Sequence, residues 1–122
     1  MPLRYVLDEN LRGPLWDTIE RHNLLGNHPI DVTRVGDLPD LPTGISDADI
    51  LLWAESQRRV LVSVDKSTMA IHLAAHLAAG QHSPGVMTVR PGIRFSAVMQ
   101  FLVLAAYASE PEEWANGITY IP

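Results

Sequence analysis

The stretch Val60-Leu61-Val62-Ser63-Val64-Asp65 decides the fold. Its first five residues are β-prone and apolar at nearly every position, without the polar alternation of a half-exposed strand. Such a run is buried on both faces, as the inner strand of a parallel sheet is. Lys66 comes next, and a helix over about 67–79 follows, stopped by Gly80. Residues 85–90 read as the next strand, ended by Pro91-Gly92. A very apolar helix spans about 95–109. Pro111 restarts a single turn through Trp114, and 117–121 closes the chain as a short strand.

The same alternation extends upstream. Tyr5-Val6-Leu7 is a short strand ending in Asp8-Glu9-Asn10. Leu11, Leu15 and Ile19 recur every four residues beside Trp16, which predicts an amphipathic helix over about 11–23 with Pro14 in its first turn. Residues 30–35 alternate like a strand, and 36–45 form a loop carrying Pro39, Pro42 and Gly44. Ser46 is a good N-cap, with Asp47 and Asp49 in the first turn of a helix that runs to about 57. Ile50, Leu51, Trp53 and Ala54 make its apolar face. The order β-α-β-α-β-α-β-α-β predicts an α/β fold with a mainly parallel sheet of four to five strands and helices on both faces. The last strand is also able to pair antiparallel at an edge.

Composition agrees with one domain. The chain has 122 residues, 47% of them hydrophobic and 19% charged. That excludes a disordered tail. There is no cysteine, which removes disulfides, thiolate zinc sites and cysteine nucleophiles together and is compatible with a cytoplasmic location. The first residues show no basic leader before an apolar stretch, so no signal peptide is expected. The longest apolar stretch, 97–108, is broken by Gln100 and falls short of the roughly 20 residues of a membrane span. The net charge of −5 argues against sequence-independent coating of duplex DNA, though an enzyme acting on nucleic acid through a small local site remains compatible with it.

In an open α/β sheet, ligands bind outside the carboxyl ends of the strands. The first strand delivers Asp8, Glu9 and Asn10 there, and the third delivers Asp65 and Lys66. The helix after the second strand starts with Asp47 and Asp49. Like charges about 4 Å apart repel by about 4 kcal/mol at an effective dielectric near 20, so converging carboxylates need a cation or raised pKa values. Oxygen ligands without thiolate suit Mg²⁺ or Mn²⁺. Each acid also has a plain structural use, in a cap, a turn or the first turn of a helix. Arg34, Lys66 and Arg90 stand at strand ends on the same edge. Arg12, in the first turn of the first helix, opposes the macrodipole. A metal-bound phosphate accounts for acid in the centre and base around it.

Other candidates carry less. His72 and His76 stand four apart on the third helix, but no glutamate follows His72 as in zinc proteases, and they read as partly exposed surface residues. His22, His28 and His82 read the same way. Ser63, Ser67 and Thr68 lack the glycine-flanked elbow of a hydrolase nucleophile. Trp16 and Trp53 sit on apolar helical faces and read as core.

Several stretches together resemble a known family. Val6-Leu7-Asp8-Glu9-Asn10-Leu11, Ser46-Asp47-Ala48-Asp49-Ile50-Leu51 with Trp53-Ala54, Val60-Leu61-Val62-Ser63-Val64-Asp65 and Ser83-Pro84-Gly85-Val86 resemble small bacterial PIN-like proteins related to the Mut7-C branch of PIN domains. The resemblance covers about 3–92, and 114–122 is similar to one subgroup. It implies a three-layer α/β/α fold and a metal-dependent ribonuclease encoded beside a small antitoxin-like partner. By motif, the site acids are Asp8, Asp47 and Asp65. The family commonly has another acid two residues after the position of Asp65, where this chain has Ser67. Asp49 and Glu9 are the candidates to replace it as metal ligands. Asn10, Arg12, Arg34, Lys66 and Arg90 are the candidate substrate contacts.

Three functions follow as expectations. The first is a PIN-type endoribonuclease using Mg²⁺ or Mn²⁺. The second is a binding module with a decayed site. The third is a phospho-receiver with Asp65 as acceptor, which needs a lysine near the last strand, and Lys66 is the one lysine. The helix 95–109 has Gln100 and terminal serines as nearly all its polarity, so an outward apolar face is expected to make a homodimer unless 110–122 folds back over it.

Overall fold

A computed structural model describes residues 2–64 and 67–122. Five strands, β1 (Arg4–Leu7), β2 (Asp31–Arg34), β3 (Val60–Val64), β4 (Val86–Val89) and β5 (Ile118–Tyr120), form one sheet in the order β2-β1-β3-β4-β5. Every neighbouring pair is parallel, including β4 with β5, so the last strand takes the parallel of its two alternatives. The nearly continuous apolar run of β3 matches its central place, where neighbours pair on both sides and helices cover both faces.

Side chains alternate between two cores. Tyr5, Leu7, Val60, Val62, Met87 and Val89 pack beneath α1 (Pro14–Leu24) and α4 (Phe95–Ala108). Val6, Leu61 and Val86 pack beneath α2 (Asp47–Gln57) and α3 (Ser67–Ala78). The result is a three-layer α/β/α architecture. The connections through α3 and α4 both step in the same direction along the sheet but lie on opposite faces. The β4–α4–β5 crossover therefore has the opposite hand to the other three. Such crossovers are nearly always right-handed, which makes this last one the exception.

The first helix starts later than its periodicity suggests. Glu9–Leu11 is a short 3-10 turn, and α1 begins at Pro14 after Gly13 as N-cap. Proline has no N–H and disfavours helical backbone in the residue before it, so the 11–13 segment cannot join the helix. Arg12 therefore precedes α1 and does not oppose its dipole from within. At α2 the expected cap is present, with the Asp49 N–H donating to Ser46 Oγ at 3.1 Å.

Long-range polar contacts tie distant parts of the chain together. The Tyr5 hydroxyl donates to the Leu102 carbonyl at 2.6 Å, joining β1 to α4. Arg59, buried just before β3, donates to the Tyr5 carbonyl at 3.0 Å and to Asp31 Oδ1 at 2.8 Å. His76, expected at the surface, is only 8% exposed. Its Nε2 lies 2.7 Å from the His82 carbonyl and 3.0 Å from Glu55 Oε1, two acceptors, so that nitrogen carries the proton.

On α4 the buried side chains are Val98, Leu102, Ala105 and Ala106, facing the sheet and α1. Trp114 comes back over it, with its ring edge-on to Phe101 at 6.0 Å and its Nε1 donating to Ser109 Oγ at 2.7 Å. Much of the apolarity of α4 is thus covered within the chain, leaving Leu104 and Tyr107 exposed. Among the described residues no helix is long and apolar enough to cross a membrane.

Candidate functional site

Asp8 follows β1 directly, at the carboxyl edge of the sheet. Leu7 pairs with Val62, and the Asp8 N–H continues that pairing by donating to the Val62 carbonyl at 3.0 Å. This register sets Asp8 beside Ser63, whose side chain shares the face covered by α2 and α3. Ser63 Oγ donates to Asp8 Oδ2 at 2.9 Å, and the Asn10 N–H donates to Oδ1 at 3.3 Å. These two donors, on different oxygens, help to fix the plane of the carboxylate. At 7% exposure it is nearly withdrawn from water.

Asp47 is the first residue of α2, at the same edge because α2 runs back from the end of β2. Its Oδ2 lies 3.9 Å from His72 Nε2 on α3. Asp49 is two residues further along, and side chains two apart on a helix do not share a face. Accordingly Asp49 lines a separate open cleft with Asp40, Leu52 and Trp53. Glu9 turns to the long loop, where its Oε1 accepts from the Gly44 N–H at 2.8 Å. Asp65 and Lys66 lie outside the described residues.

The basic candidates are held in place. Arg12 Nη2 and Arg34 Nε share the Asp37 carboxylate at 3.3 and 2.7 Å, and Arg34 Nη1 donates to the Arg12 carbonyl at 2.8 Å. The Arg34 guanidinium lies 4.4 Å over the Trp16 ring, and that of Arg90 lies 4.9 Å over Tyr120. One carboxylate against two guanidiniums leaves the Arg12–Arg34 cluster positive. Asn10 is exposed beside Asp8. Among the described residues no group of three or more His, Cys, Asp or Glu side chains could hold a metal ion, so Asp8 and Asp47 do not make such a set by themselves.

Two residues of this region have neighbours that the sequence does not show. Ser63 lacks the elbow of a nucleophile and is instead the donor that orients Asp8. A hydroxyl in a fully buried strand needs a partner, and that rule was the available signal. His72 is the neighbour of Asp47, which no local pattern could indicate. In comparisons with known proteins, no family model, no curated protein and no solved structure matches the chain.

Proposed function

We propose that this chain is a PIN-like, metal-dependent endoribonuclease that hydrolyses phosphodiester bonds in single-stranded RNA, and that it acts as the toxin-like member of a pair with a small antitoxin-like protein. The observation that supports this reading most is Asp8, a nearly buried carboxylate oriented by Ser63 and the Asn10 N–H at the carboxyl edge of a parallel sheet.

Its neighbours fit the same chemistry. Asp47 brings a second carboxylate to this edge from the start of α2, and the all-oxygen pair suits Mg²⁺ or Mn²⁺. Asp65, directly after β3, completes the proposed set, and a second copy of the chain is the proposed assembly partner. A bound cation of this kind supplies an activated water and neutralises charge on the scissile phosphate. The chain itself does the rest. Ser63 keeps Asp8 from rotating, so its oxygens keep one direction. Arg34 and Arg90, laid on Trp16 and Tyr120 towards opposite ends of the sheet, offer fixed cations to the phosphates of an extended strand.

The test is cleavage of a labelled single-stranded RNA by purified protein with Mn²⁺ or Mg²⁺. The expected result is slow cleavage, lost in Asp8→Asn and in excess chelator, while the circular dichroism spectrum of the variant is unchanged. Cleavage that survives either treatment overturns the assignment of Asp8. No cleavage with either metal, together with tight binding of a protein partner, moves the assignment to a binding module.

A further inference from the structure

The opposite edge of the sheet carries a second concave site. A cleft of about 500 Å³ opens at the amino ends of β1 and β3, with Leu3 and Val60 as buried floor and Pro84 and Pro111 in its walls. Its size falls within the roughly 300–1,000 Å³ range of small-molecule pockets. Arg58 and Glu112 both line it. Neither makes an ion pair or side-chain hydrogen bond among the described residues. Opposite charges thus face one apolar cleft without touching each other. Arg4, which also lines it, is engaged by Asp31 at 3.2 Å.

The walls are preformed. On one side, α2 ends with Arg58 in the left-handed conformation, φ +56° and ψ +48°, and the Arg59 N–H donates to the Ala54 carbonyl at 3.0 Å. Glycine is the usual residue there, because a side chain in that conformation is unfavourable. An arginine in its place breaks a local rule, as residues kept for function do. On the other side, the 111–116 segment is pinned to Ser83, just ahead of β4. The Asn116 N–H donates to the Ser83 carbonyl and the Ser83 N–H to Asn116 Oδ1, both at 2.8 Å. Rigid walls lower the ordering penalty of binding.

We infer that this cleft binds a small zwitterion with an apolar body, namely an apolar amino acid. Its carboxylate meets Arg58, its ammonium meets Glu112, and its side chain covers Leu3 and Val60. Both charges of the ligand are then matched, and the apolar floor is removed from water. The site is on the far edge from Asp8 and stands apart from the nuclease reading.

The experiment is an amide chemical-shift titration of the whole chain with L-leucine, 4-methylpentanoate and 3-methylbutan-1-amine, following Arg58, Val60 and Ala115. Saturable shifts with leucine are expected, with at least tenfold weaker binding of each compound that lacks one charge. Arg58→Gly should weaken leucine binding at least tenfold while leaving the melting temperature equal or higher, since glycine suits that conformation. Glu112→Gln should bring leucine down to the level of 4-methylpentanoate. No saturable shift at these three amides, or leucine binding unchanged in Arg58→Gly, overturns the inference.

Discussion

Ser63 Oγ and Asp8 Oδ2 are 2.9 Å apart across the β1–β3 pair, and the two residues are separated by 55 positions in the chain. The contact follows from parallel register, because Leu7 opposite Val62 sets Asp8 beside Ser63. A hydrogen bond to a charged acceptor contributes about 1.5–3 kcal/mol. Ser63→Ala should therefore lower stability by about 2 kcal/mol. Asp8→Asn retains an acceptor oxygen and should lower it less. Urea unfolding of the two variants checks the order, and a Ser63→Ala midpoint equal to that of the parent protein contradicts it.

The glycine at 85 should be the most intolerant to alanine. It sits at φ +123°, and a Cβ there would lie 2.5 Å from the Trp114 carbonyl oxygen, a backbone atom. Gly44, at φ +82°, has nothing within 4 Å of the same atom. Gly44→Ala should cost about 1 kcal/mol from backbone conformation alone. Gly85→Ala adds overpacking to that and should cost about 2–4 kcal/mol. Thermal unfolding of the pair measures the difference.

Acid should weaken the fold partly through Asp31. Partial burial pushes its pKa up, but the hydrogen bond and charge of Arg59, then the charge and hydrogen bond of Arg4, outweigh this and hold it below the usual value of 3.8. A folded pKa below the unfolded one means stability that is present above the unfolded value and lost as pH falls through the folded one. Asp31→Asn should lower stability at pH 7 and flatten its decline below about pH 4. Denaturant midpoints at pH 7, 4 and 2.5 test this, and parallel curves for variant and parent would refute it.

Alkali should ionise Tyr5 late. Burial raises its phenol far above the ordinary value of 10.0. A raised folded pKa means stability that is full below the unfolded value and lost as pH rises from there towards the folded one. Absorbance at the phenolate band should show Tyr5 ionising only with unfolding. In Tyr5→Phe the late step should vanish, with a loss of about 1 kcal/mol in stability from the missing bond to Leu102.

Arg59→Met keeps the apolar stem but removes the donor shared by Tyr5 and Asp31. It should lower stability by about 1–3 kcal/mol, since a buried carbonyl loses its charged partner. The same denaturant titration applies, and no change would mean that water replaces the guanidinium.

What this sequence determined by itself was local. The run 60–64, apolar at all positions but Ser63, specified an inner parallel strand, and Ser46 followed by Asp47 and Asp49 specified where α2 starts, because both signals act within a few residues. Asp8 at the end of β1 was readable for the same reason. Periodicity says which side chains leave water, but not what they meet. The sheet order, the unusual hand of the last crossover, the burial of His76, the Ser63–Asp8 bond and the cleft between Arg58 and Glu112 all join residues far apart in the chain. Only the tertiary structure decided them, because each depends on register and packing between elements that carry no sequence record of one another.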